Sequence, residues 1–471
     1  MKQSPSDGDG NPFKYLDSTN RLTMGLWKVI LVSGMGFFTD AYDLFNINIM
    51  LLFLTPLWHL TSVQMGLLAS SAIWSAILGQ LTFGRLLDLL GRKKIYGIEA
   101  AILAVGAALS AFSTSFLMLL ATRTLMGFGI GGDYPASATI ASEYAPTKTR
   151  GKSVALVFSM QGFGIATSVI VGLLAAGYLP PDLAWRVVAG IGAIPPSLVV
   201  YFRRHVPETP RYSLLVKGDV NEASKGLKLV TGSEAEVRPA VAEKISFLEF
   251  ISMFGALLIG TTLPWTFMDM ALYGTSVFSG TISQALVPFH TAVGKVLGAG
   301  VPLLIGVPGY FIAATLVDKV GRKALQIAGF LIAAAVYAPM TLYFYGLMHV
   351  SSYLIYAAFG LSLTALNLGP NTTTFILPAE VYPVRYRSTG HGISAAAGKV
   401  GAAITTLLFP ILKSTPSLGL GFIFLILVVA SLAGIGITAA FIPETKGKVL
   451  EEISRERIVA KPVAVSQQRA P

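Results

Sequence analysis

Apolar residues run in long uninterrupted stretches along almost the whole chain, and short polar segments separate them. Each stretch holds roughly 20 residues, which is the length an α-helix needs to cross the hydrocarbon core of a bilayer. The alternation of apolar and polar positions that is typical of membrane β-strands does not occur. The pattern therefore predicts a polytopic, all-α membrane protein.

About twelve spans are predicted, and one long polar segment divides them into two sets of six. Their approximate limits are 24–54, 63–90, 95–112, 116–143, 153–178, 186–205, 250–279, 290–317, 324–348, 352–379, 389–413 and 418–442. The resulting regions are a leader (1–23), a first half (24–206), a linker (207–249), a second half (250–442) and a tail (443–471). Because the leader and the end of the tail are polar, we expect disorder there, with a short surface helix after Gly447.

Lysine and arginine collect in alternate loops of this predicted topology. They occur in "GRKK" at 91–94, "TKTRGK" at 147–152, the linker, "DKVGRK" at 318–323 and "RYR" at 385–387, whereas the intervening loops contain none. Basic loops mark the cytoplasmic side of a membrane protein, so both termini are predicted in the cytoplasm. The net charge of +11 follows from this pattern, and nucleic-acid binding is not expected.

Composition narrows the functional classes further. Only 13% of residues are charged, against about 25% in soluble domains. The chain has no cysteine, and its five histidines are scattered. Disulfides are therefore excluded, and neither a metal cluster, a cofactor nor an enzymatic constellation is expected.

Three motifs recur in the two halves at corresponding places. "GQLTFGRLLDLLGRKK" from Gly79 matches "GYFIAATLVDKVGRKA" from Gly309, an E-x-x-P-x-x-x-R pattern occurs at 143–150 and 380–387, and P-E-T occurs at 207–209 and 443–445. Parallel repeats of this kind are typical of transporters with a substrate site between the halves. We predict a cytoplasmic gate of charge pairs from the repeated residues: Asp88, Arg92, Glu143, Arg150, Asp318, Arg322, Glu380 and Arg387.

These repeats resemble those of the major facilitator superfamily. "GIGGDYPASATIASEY" with "TRGK" is similar to the signature of its phosphate:proton symporter family, as are "FFTDAYDLFNI", "FSMQGFG" and "LGPNTTTFILPAEVYPVRYRSTGHGISAAAGKVGA". The resemblance implies two pseudo-symmetric six-helix halves that import inorganic phosphate with protons by alternating access. It also implies a monomer in the plasma membrane.

Ionisable residues within spans are costly and are functional candidates by default. Asp40 and Asp43 are three residues apart and share a helix face, which suits a carboxylate pair that carries a proton. Asp133 follows "GIGG" and is assigned to the same proton-coupling set. Arg123, in the same span as Asp133, is predicted as the counter-charge of Asp43, in a structural or a proton-sensitive pair.

In the seventh span, Trp265, Asp269 and Tyr273 lie on one helix face. The resemblance implies that these three contact phosphate, together with Tyr134, Gln161 and Asn371. Asp269 is also predicted to couple protons, because its protonated form donates a hydrogen bond to phosphate whereas its ionised form repels the anion. Lys399 is a second cation candidate that either attracts phosphate or pairs with a carboxylate.

Two other interpretations remain open. The P-E-T motifs also fit a sugar or organic-anion porter of the same superfamily. A transceptor that senses phosphate is a third hypothesis, although the tail carries no recognisable signalling domain.

Overall fold

The computed structural model describes residues 12–19, 21–233, 237–415 and 418–460. The predicted disorder at residues 1–11 and 461–471 lies outside these ranges. Phe13 and Leu16, in the predicted disordered leader, are instead fully buried around a short helix, Lys14–Asp17. The prediction of disorder is wrong for this segment, because its two apolar side chains pack against the protein.

Twelve long helices or helix pairs make up the bundle, as predicted. In chain order they are α1 (Met24–Trp58), α2 (Ser62–Leu90), α3 (Arg92–Ala111), α4 (Phe116–Tyr144), α5 (Arg150–Tyr178), α6 (Pro181–Arg204), α7 (Phe247–Ser276), α8 (Ala292–Val320), α9 (Arg322–Phe344), α10 (Ser352–Val381), α11 (Arg387–Ser414) and α12 (Gly419–Phe441). Eleven are long and apolar enough to cross a membrane. The remaining one, α4, is 29 residues long but contains Arg123, Asp133 and Glu143.

Three of these helices are interrupted near their ends or centres. A turn at Tyr96–Gly97 divides α3, where Gly97 has a φ of +104° that other residues rarely adopt. Helix α6 consists of Pro181–Ile191 and Ile194–Arg204. Helix α10 contains a π-helical turn at Asn367–Asn371, a geometry that often marks functional sites.

The two halves meet along two helix pairs, α2 with α11 and α5 with α8. Small residues allow this close approach. A Cβ added to Gly84 on α2 would lie 2.7 Å from the carbonyl oxygen of Ser388 on α11. The interface is therefore tightly closed at this end of the bundle.

The end of the bundle where the linker and the described parts of the leader and the tail lie is called the basic face here. Short elements cover it: a 3-10 turn (Thr147–Thr149), helices Pro210–Tyr212, Val220–Thr231 and Leu450–Ile453, a π-helical turn (Ser213–Lys217), and strands β1 (Ala240–Ala242) and β2 (Ile458–Ala460). At the opposite end lies the helix Ser279–Leu286.

An antiparallel sheet joins the linker to the tail on the basic face. It pairs β1 with β2, with Val241 opposite Val459. Arg211 in the linker is fully buried and contacts Asp17 at 3.0 Å and Glu451 at 2.6 Å. The leader, the linker and the tail are thus held together over the bundle.

Candidate substrate and proton sites between the halves

A buried ion pair lies at the centre of the bundle. Lys399 on α11 donates to Asp269 on α7, with an N–O distance of 2.7 Å. The ammonium group also lies over the rings of Tyr134 and Tyr273, 4.7 and 4.3 Å from their centroids. Of the two roles considered for Lys399, pairing with a carboxylate is the one this conformation adopts.

The aromatic walls of this pair come from both halves. Tyr134 and Tyr273 share a hydrogen bond of 3.2 Å between their hydroxyls, and the rings of Tyr134 and Trp265 lie 6.3 Å apart. Tyr134 belongs to the first half, and the other two residues belong to the second half. The predicted spacing of Trp265, Asp269 and Tyr273 along one face of α7 is therefore consistent with the contacts.

The Lys399–Asp269 pair and the three rings around it, Tyr134, Trp265 and Tyr273, are named the cage here. A chain of hydrogen bonds connects the halves beside this cage. The Tyr310 hydroxyl donates to Gln161 at 3.2 Å, and the Asn371 amide donates to Tyr310 at 3.2 Å and to Asn367 at 2.8 Å. The π-helical turn of α10 carries both asparagines. Gln161 and Asn371 were expected from the resemblance, whereas Tyr310 was missed because an aromatic residue in a span carries no specific signal.

The central residues are closed off from solvent. The residues of the cage and the hydrogen-bond chain are each at most 3% exposed: Tyr134, Gln161, Trp265, Asp269, Tyr273, Tyr310, Asn371 and Lys399. A wide cleft of about 740 Å³ lies elsewhere, near Tyr343, His349 and Lys413 at the end opposite the basic face. That cleft contacts none of the predicted site residues, so it is not the candidate site.

Three phenylalanines close the route from the cage toward the basic face. Phe375 on α10 stacks on Phe158 on α5 at 4.5 Å and meets Phe37 on α1 edge-on at 4.8 Å. Phe37 and Phe158 also pack together at 5.3 Å. These three residues are named the aromatic plug here. Phe375 belongs to the second half and the other two belong to the first, so Phe375 must leave them if the halves part at this end.

A second buried charge cluster lies in the first half. Arg203 on α6 donates to both carboxylate oxygens of Asp133, at 2.7 and 2.8 Å, and to Glu99 on α3 at 2.7 Å. Ser137, one turn from Asp133, donates to the same carboxylate. Asp133 is therefore not a free carboxylate in this conformation.

Sequence reasoning missed Glu99 and Arg203, the other two charged members of this cluster. Glu99 lies in an apolar span, so the rule that identified Asp133 would also have identified Glu99. Arg203 lies at the end of the predicted sixth span, beside Arg204, and was counted with the basic residues of the 203–244 segment. The packing of α6 against α1 and α3 brings the guanidinium inward.

Asp40 lies next to this cluster and has no partner of its own. Both carboxylate oxygens are buried without a hydrogen bond to any residue that the structure describes. The neighbours that act on it electrostatically include Asp133 and Arg203. A carboxyl group in such a place is far less costly to bury with a proton than without one.

Arg123 is the cation that acts electrostatically on Asp43, as predicted, but the two side chains form no direct salt bridge in the described structure. Arg123 donates to the backbone carbonyl of Asp43 at 3.3 Å and to the side chain of Asn46 at 3.4 Å. Asn46 in turn donates to the Asp43 carboxylate at 3.2 Å. The amide, one turn along α1, thus lies between the two charges, and a spacing in sequence does not reveal such an intermediate.

The charged repeat of the first half forms a compact cluster on the basic face. Glu143 accepts from Arg92 at 2.9 Å and from Arg387, in the other half, at 3.0 Å. Arg92 also pairs with Asp88 at 3.1 Å, and Asp88 accepts from two backbone N–H groups at the start of α11. Asp88, Arg92, Glu143 and Arg387 are named the Glu143 cluster here.

The repeat of the second half forms the same arrangement. Glu380 accepts from Arg322 at 2.8 Å and from Arg150, in the other half, at 2.9 Å. Arg322 pairs with Asp318 at 2.8 Å, and Asp318 accepts from the backbone N–H of Lys152 on α5. Arg150, Asp318, Arg322 and Glu380 are named the Glu380 cluster here. All eight predicted gate residues therefore lie in two clusters, each of which joins the halves.

The repeated P-E-T motifs support these clusters. The carboxylate of Glu208 accepts from the backbone N–H of Arg92 at 3.1 Å, and Glu444 accepts from that of Arg322 at 3.0 Å. Burial raises the pKa of Glu208, while the nearby Arg92 guanidinium opposes this. The motif thus fixes the start of the helix that carries each arginine.

Comparison with known proteins agrees with this architecture. The family model described as "Sugar (and other) transporter" matches residues 18–456. A repressible high-affinity phosphate permease of Neurospora crassa is 35% identical, with 94% of this chain and 89% of that protein aligned. A putative inorganic phosphate transporter 1-13 of Oryza sativa subsp. japonica is also 35% identical, with 91% and 90% aligned.

A solved structure shows the same fold. The proton:xylose symporter XylE, bound to 6-bromo-6-deoxy-D-glucose, superimposes with a TM-score of 0.79 over 91% of this chain and 98% of XylE, at 19% identity. The fold and the two-half arrangement thus define a membrane transporter of the major facilitator superfamily. Within that superfamily the chain belongs to the sugar (and other) transporter family, in its branch of inorganic phosphate transporters.

Proposed function

We propose that this protein imports inorganic phosphate together with protons by alternating access. The observation that carries the proposal is the buried Lys399, which Asp269 and two tyrosines hold between the two halves. Relatives of the chain that are named phosphate transporters support the same substrate. A single cation among neutral donors attracts an anion without clamping it as tightly as an arginine cluster would. Such a site binds phosphate and also releases it.

The substrate contacts follow from this arrangement. Lys399 supplies the charge, and hydrogen bonds come from Tyr134, Trp265, Tyr273, Gln161 and Asn371. All of these lie in the cage or in the hydrogen-bond chain beside it. A phosphate between them contacts both halves, so its binding favours their closure around it.

Proton coupling at the centre acts through the ion pair. When Asp269 takes up a proton, its attraction for Lys399 falls, and the ammonium is released to phosphate. The neutral carboxyl group then donates a hydrogen bond to the anion. Loss of that proton restores the ion pair, and released phosphate then does not rebind. Bringing one negative charge in against a membrane potential costs about 2.3 kcal/mol per 100 mV, so a co-transported proton offsets it.

Asp40, Asp43 and Asp133 complete the proton pathway in the first half. Arg203 balances one of the three carboxyl groups around it, namely those of Asp40, Glu99 and Asp133. Excess negative charge in a buried cluster favours bound protons. A proton held by Asp40 therefore accompanies the loaded state.

The Glu143 and Glu380 clusters form the gate on the basic face, and we assign this face to the cytoplasm of the plasma membrane. Each cluster has one arginine from the opposite half, so opening breaks both at once. The protein acts as a monomer in this scheme, because a single chain supplies both halves of the site and both clusters.

The test is uptake of radiolabelled phosphate into proteoliposomes of the purified protein, with and without an inward proton gradient. Gradient-driven uptake that a protonophore abolishes, and that arsenate but not glucose or sulfate inhibits, is expected. If active protein takes up no phosphate but takes up glucose or a small organic acid, the result would instead support a sugar or organic-anion porter. Binding of phosphate with no uptake would support a sensor.

Two variants test the residues. Lys399→Gln is expected to abolish uptake, whereas Lys295→Gln, which changes an exposed lysine at the start of α8, is the matched control. Asp269→Asn imitates the protonated carboxyl group and is expected to keep phosphate binding while losing its dependence on the proton gradient. Complete loss of binding in this variant would contradict the coupling scheme.

A further inference from the structure

His391 is a fully buried titratable residue to which the transport cycle above gives no role. It lies on α11, one turn after Arg387 and two turns before Lys399. Its ring packs edge-on against Trp265 of the cage at 5.5 Å and against Phe375 of the aromatic plug at 5.3 Å. His391 therefore occupies the junction between the central site and the plug.

One nitrogen of His391 has a partner and the other has none. Nε2 lies 3.1 Å from the carbonyl oxygen of Phe375, and a carbonyl only accepts, so Nε2 carries a hydrogen. In the neutral ring Nδ1 then presents a lone pair. Throughout the described part of the chain, no group forms a hydrogen bond with Nδ1. A proton acceptor is thus left free inside the bundle.

Trp265 separates this acceptor from the ion pair. A Cβ added to Gly398, the neighbour of Lys399, would lie 2.5 Å from the Trp265 indole, so the indole rests on α11 between Gly398 and His391. Asp269 lies one turn further along α7. The Trp265 indole therefore has to move before a proton can pass from Asp269 to His391.

The aromatic plug keeps water from His391 while the basic face is closed. Phe375 touches His391 and belongs to the second half, while Phe37 and Phe158 belong to the first. Separation of the halves at this end parts Phe375 from Phe37 and Phe158. Water then reaches His391 by the same opening that releases the substrate.

The charged groups on the helices packed around His391 leave one natural donor. They are Arg387, Lys399 and Lys413 on α11, Arg85 and Asp88 on α2, Arg123, Asp133 and Glu143 on α4, Glu249 and Asp269 on α7, and Glu380 on α10. Glu249 lies at the exposed start of α7, and each of the other carboxylates except Asp269 has an arginine partner. Asp269 is paired instead with a lysine that phosphate draws away in the proposed cycle.

We propose that His391 accepts the proton from Asp269 when the cytoplasmic side opens and passes it to cytoplasmic water. The O–H bond of the Asp269 carboxyl group breaks, and an N–H bond forms at Nδ1. That N–H bond then breaks to water, which returns the lone pair to Nδ1. The ionised Asp269 regains Lys399, which keeps dissociated phosphate from rebinding and lets the empty carrier return. The inference rests on the proposed function, since it requires proton-coupled transport.

The experiment compares two modes of transport by His391→Gln. Net uptake driven by a proton gradient requires proton release on every turn. Exchange of internal for external phosphate requires only that phosphate dissociates and rebinds while Asp269 keeps its proton. General acid–base steps typically contribute about 100-fold or more. We expect net uptake in the variant to fall at least about tenfold and exchange to fall by less than about threefold. His349→Gln, at the opposite end, is the matched control.

Internal pH supplies a second readout. At fixed external pH and membrane potential, net uptake by the wild-type protein is expected to depend on internal pH, and His391→Gln is expected to flatten that dependence. Equal loss of both transport modes would overturn the proposal, as would unchanged net uptake. His391→Asn, whose shorter amide does not reach the Phe375 carbonyl, is expected to match His391→Gln in net uptake; a much larger defect would show a structural role. Absence of proton-driven uptake in the wild type would instead refute the proposed function.

Discussion

The two halves are alike at the basic face and different at their centres. The Glu143 and Glu380 clusters each contain an Asp–Arg pair at a helix junction, a buried glutamate, and one arginine from the other half. At the centre, the first half contains Arg203 with several carboxyl groups, whereas the second half contains one ion pair. Repetition thus accompanies the mechanical parts, and divergence accompanies the groups that bind substrate and protons.

One difference also exists between the two clusters. The side chain of Asp88 is fully buried, whereas that of Asp318 is 19% exposed. Water weakens an ion pair that it can reach. The cluster of the first half is therefore the more strongly held of the two.

Removal of the central cations is expected to have the largest effects. Loss of one partner from a buried ion pair typically costs about 3–5 kcal/mol. Arg203→Ala strands two carboxylates and Lys399→Ala strands one, so Arg203→Ala is expected to lower the thermal unfolding temperature more. The measurement is thermal unfolding of the purified variants in detergent.

A double variant sharpens this comparison. Lys399→Ala with Asp269→Ala removes both charges and is expected to regain much of the lost stability while phosphate uptake stays abolished. If the double variant is as unstable as Lys399→Ala alone, the cost lies in packing and the ion-pair argument fails.

The equivalence of the clusters predicts similar effects of Glu143→Gln and Glu380→Gln. Each change weakens contacts with two arginines, so each is expected to shift the protein toward the open cytoplasmic side, within about threefold of the other. The chain has no cysteine, so a single cysteine at Ser388, buried between the halves, reports opening by its labelling rate. A shift in one variant alone would show that the gate depends on a single cluster.

The unequal exposure of the two aspartates predicts a smaller effect. Asp88→Asn is expected to increase labelling of the same cysteine several-fold, and Asp318→Asn less than about twofold, because the exposed pair contributes little. An equal increase in both variants would remove the proposed difference in strength between the clusters.

The smallest expected effect concerns pH and the tail. Burial raises the pKa of Glu456, against the opposing effect of the Arg387 guanidinium. The Glu456 carboxyl group therefore binds a proton more tightly in the folded protein than in the unfolded chain. The stability of the folded protein consequently falls as pH rises from the ordinary glutamate range through the raised pKa. Glu456→Gln keeps an oxygen for the backbone N–H of Val384 and is expected to flatten this part of the profile. An unchanged pH profile of the unfolding temperature would contradict the assignment.

The spans and the Asp–Arg pairs of the two clusters could be predicted from the sequence, because both depend on local patterns. Long apolar runs define the helices, and Asp88 and Arg92 lie four residues apart at a helix end, so their contact is almost independent of tertiary packing. The matched motifs then placed the second cluster by symmetry.

The central groups were harder to predict because they depend on how the helices pack. Arg203 reaches Asp133 only through the packing of α6, and Asn46 interposes itself between Asp43 and Arg123. Neither contact follows from spacing along the chain. His391 gave no signal, since a lone histidine in a span looks the same whether it packs or carries a proton.

The small sheet on the basic face has a consequence for the order of synthesis. β1 precedes the six helices of the second half and β2 follows them, yet the two strands are paired. The pairing of β1 with β2 therefore connects the two ends of the second half, and it forms only after residues 458–460 leave the ribosome. A nascent chain can insert its last helix and still lack the cover over its charged clusters. The cover over the charged clusters is thus completed by the pairing of β2, after α12 has been inserted into the membrane.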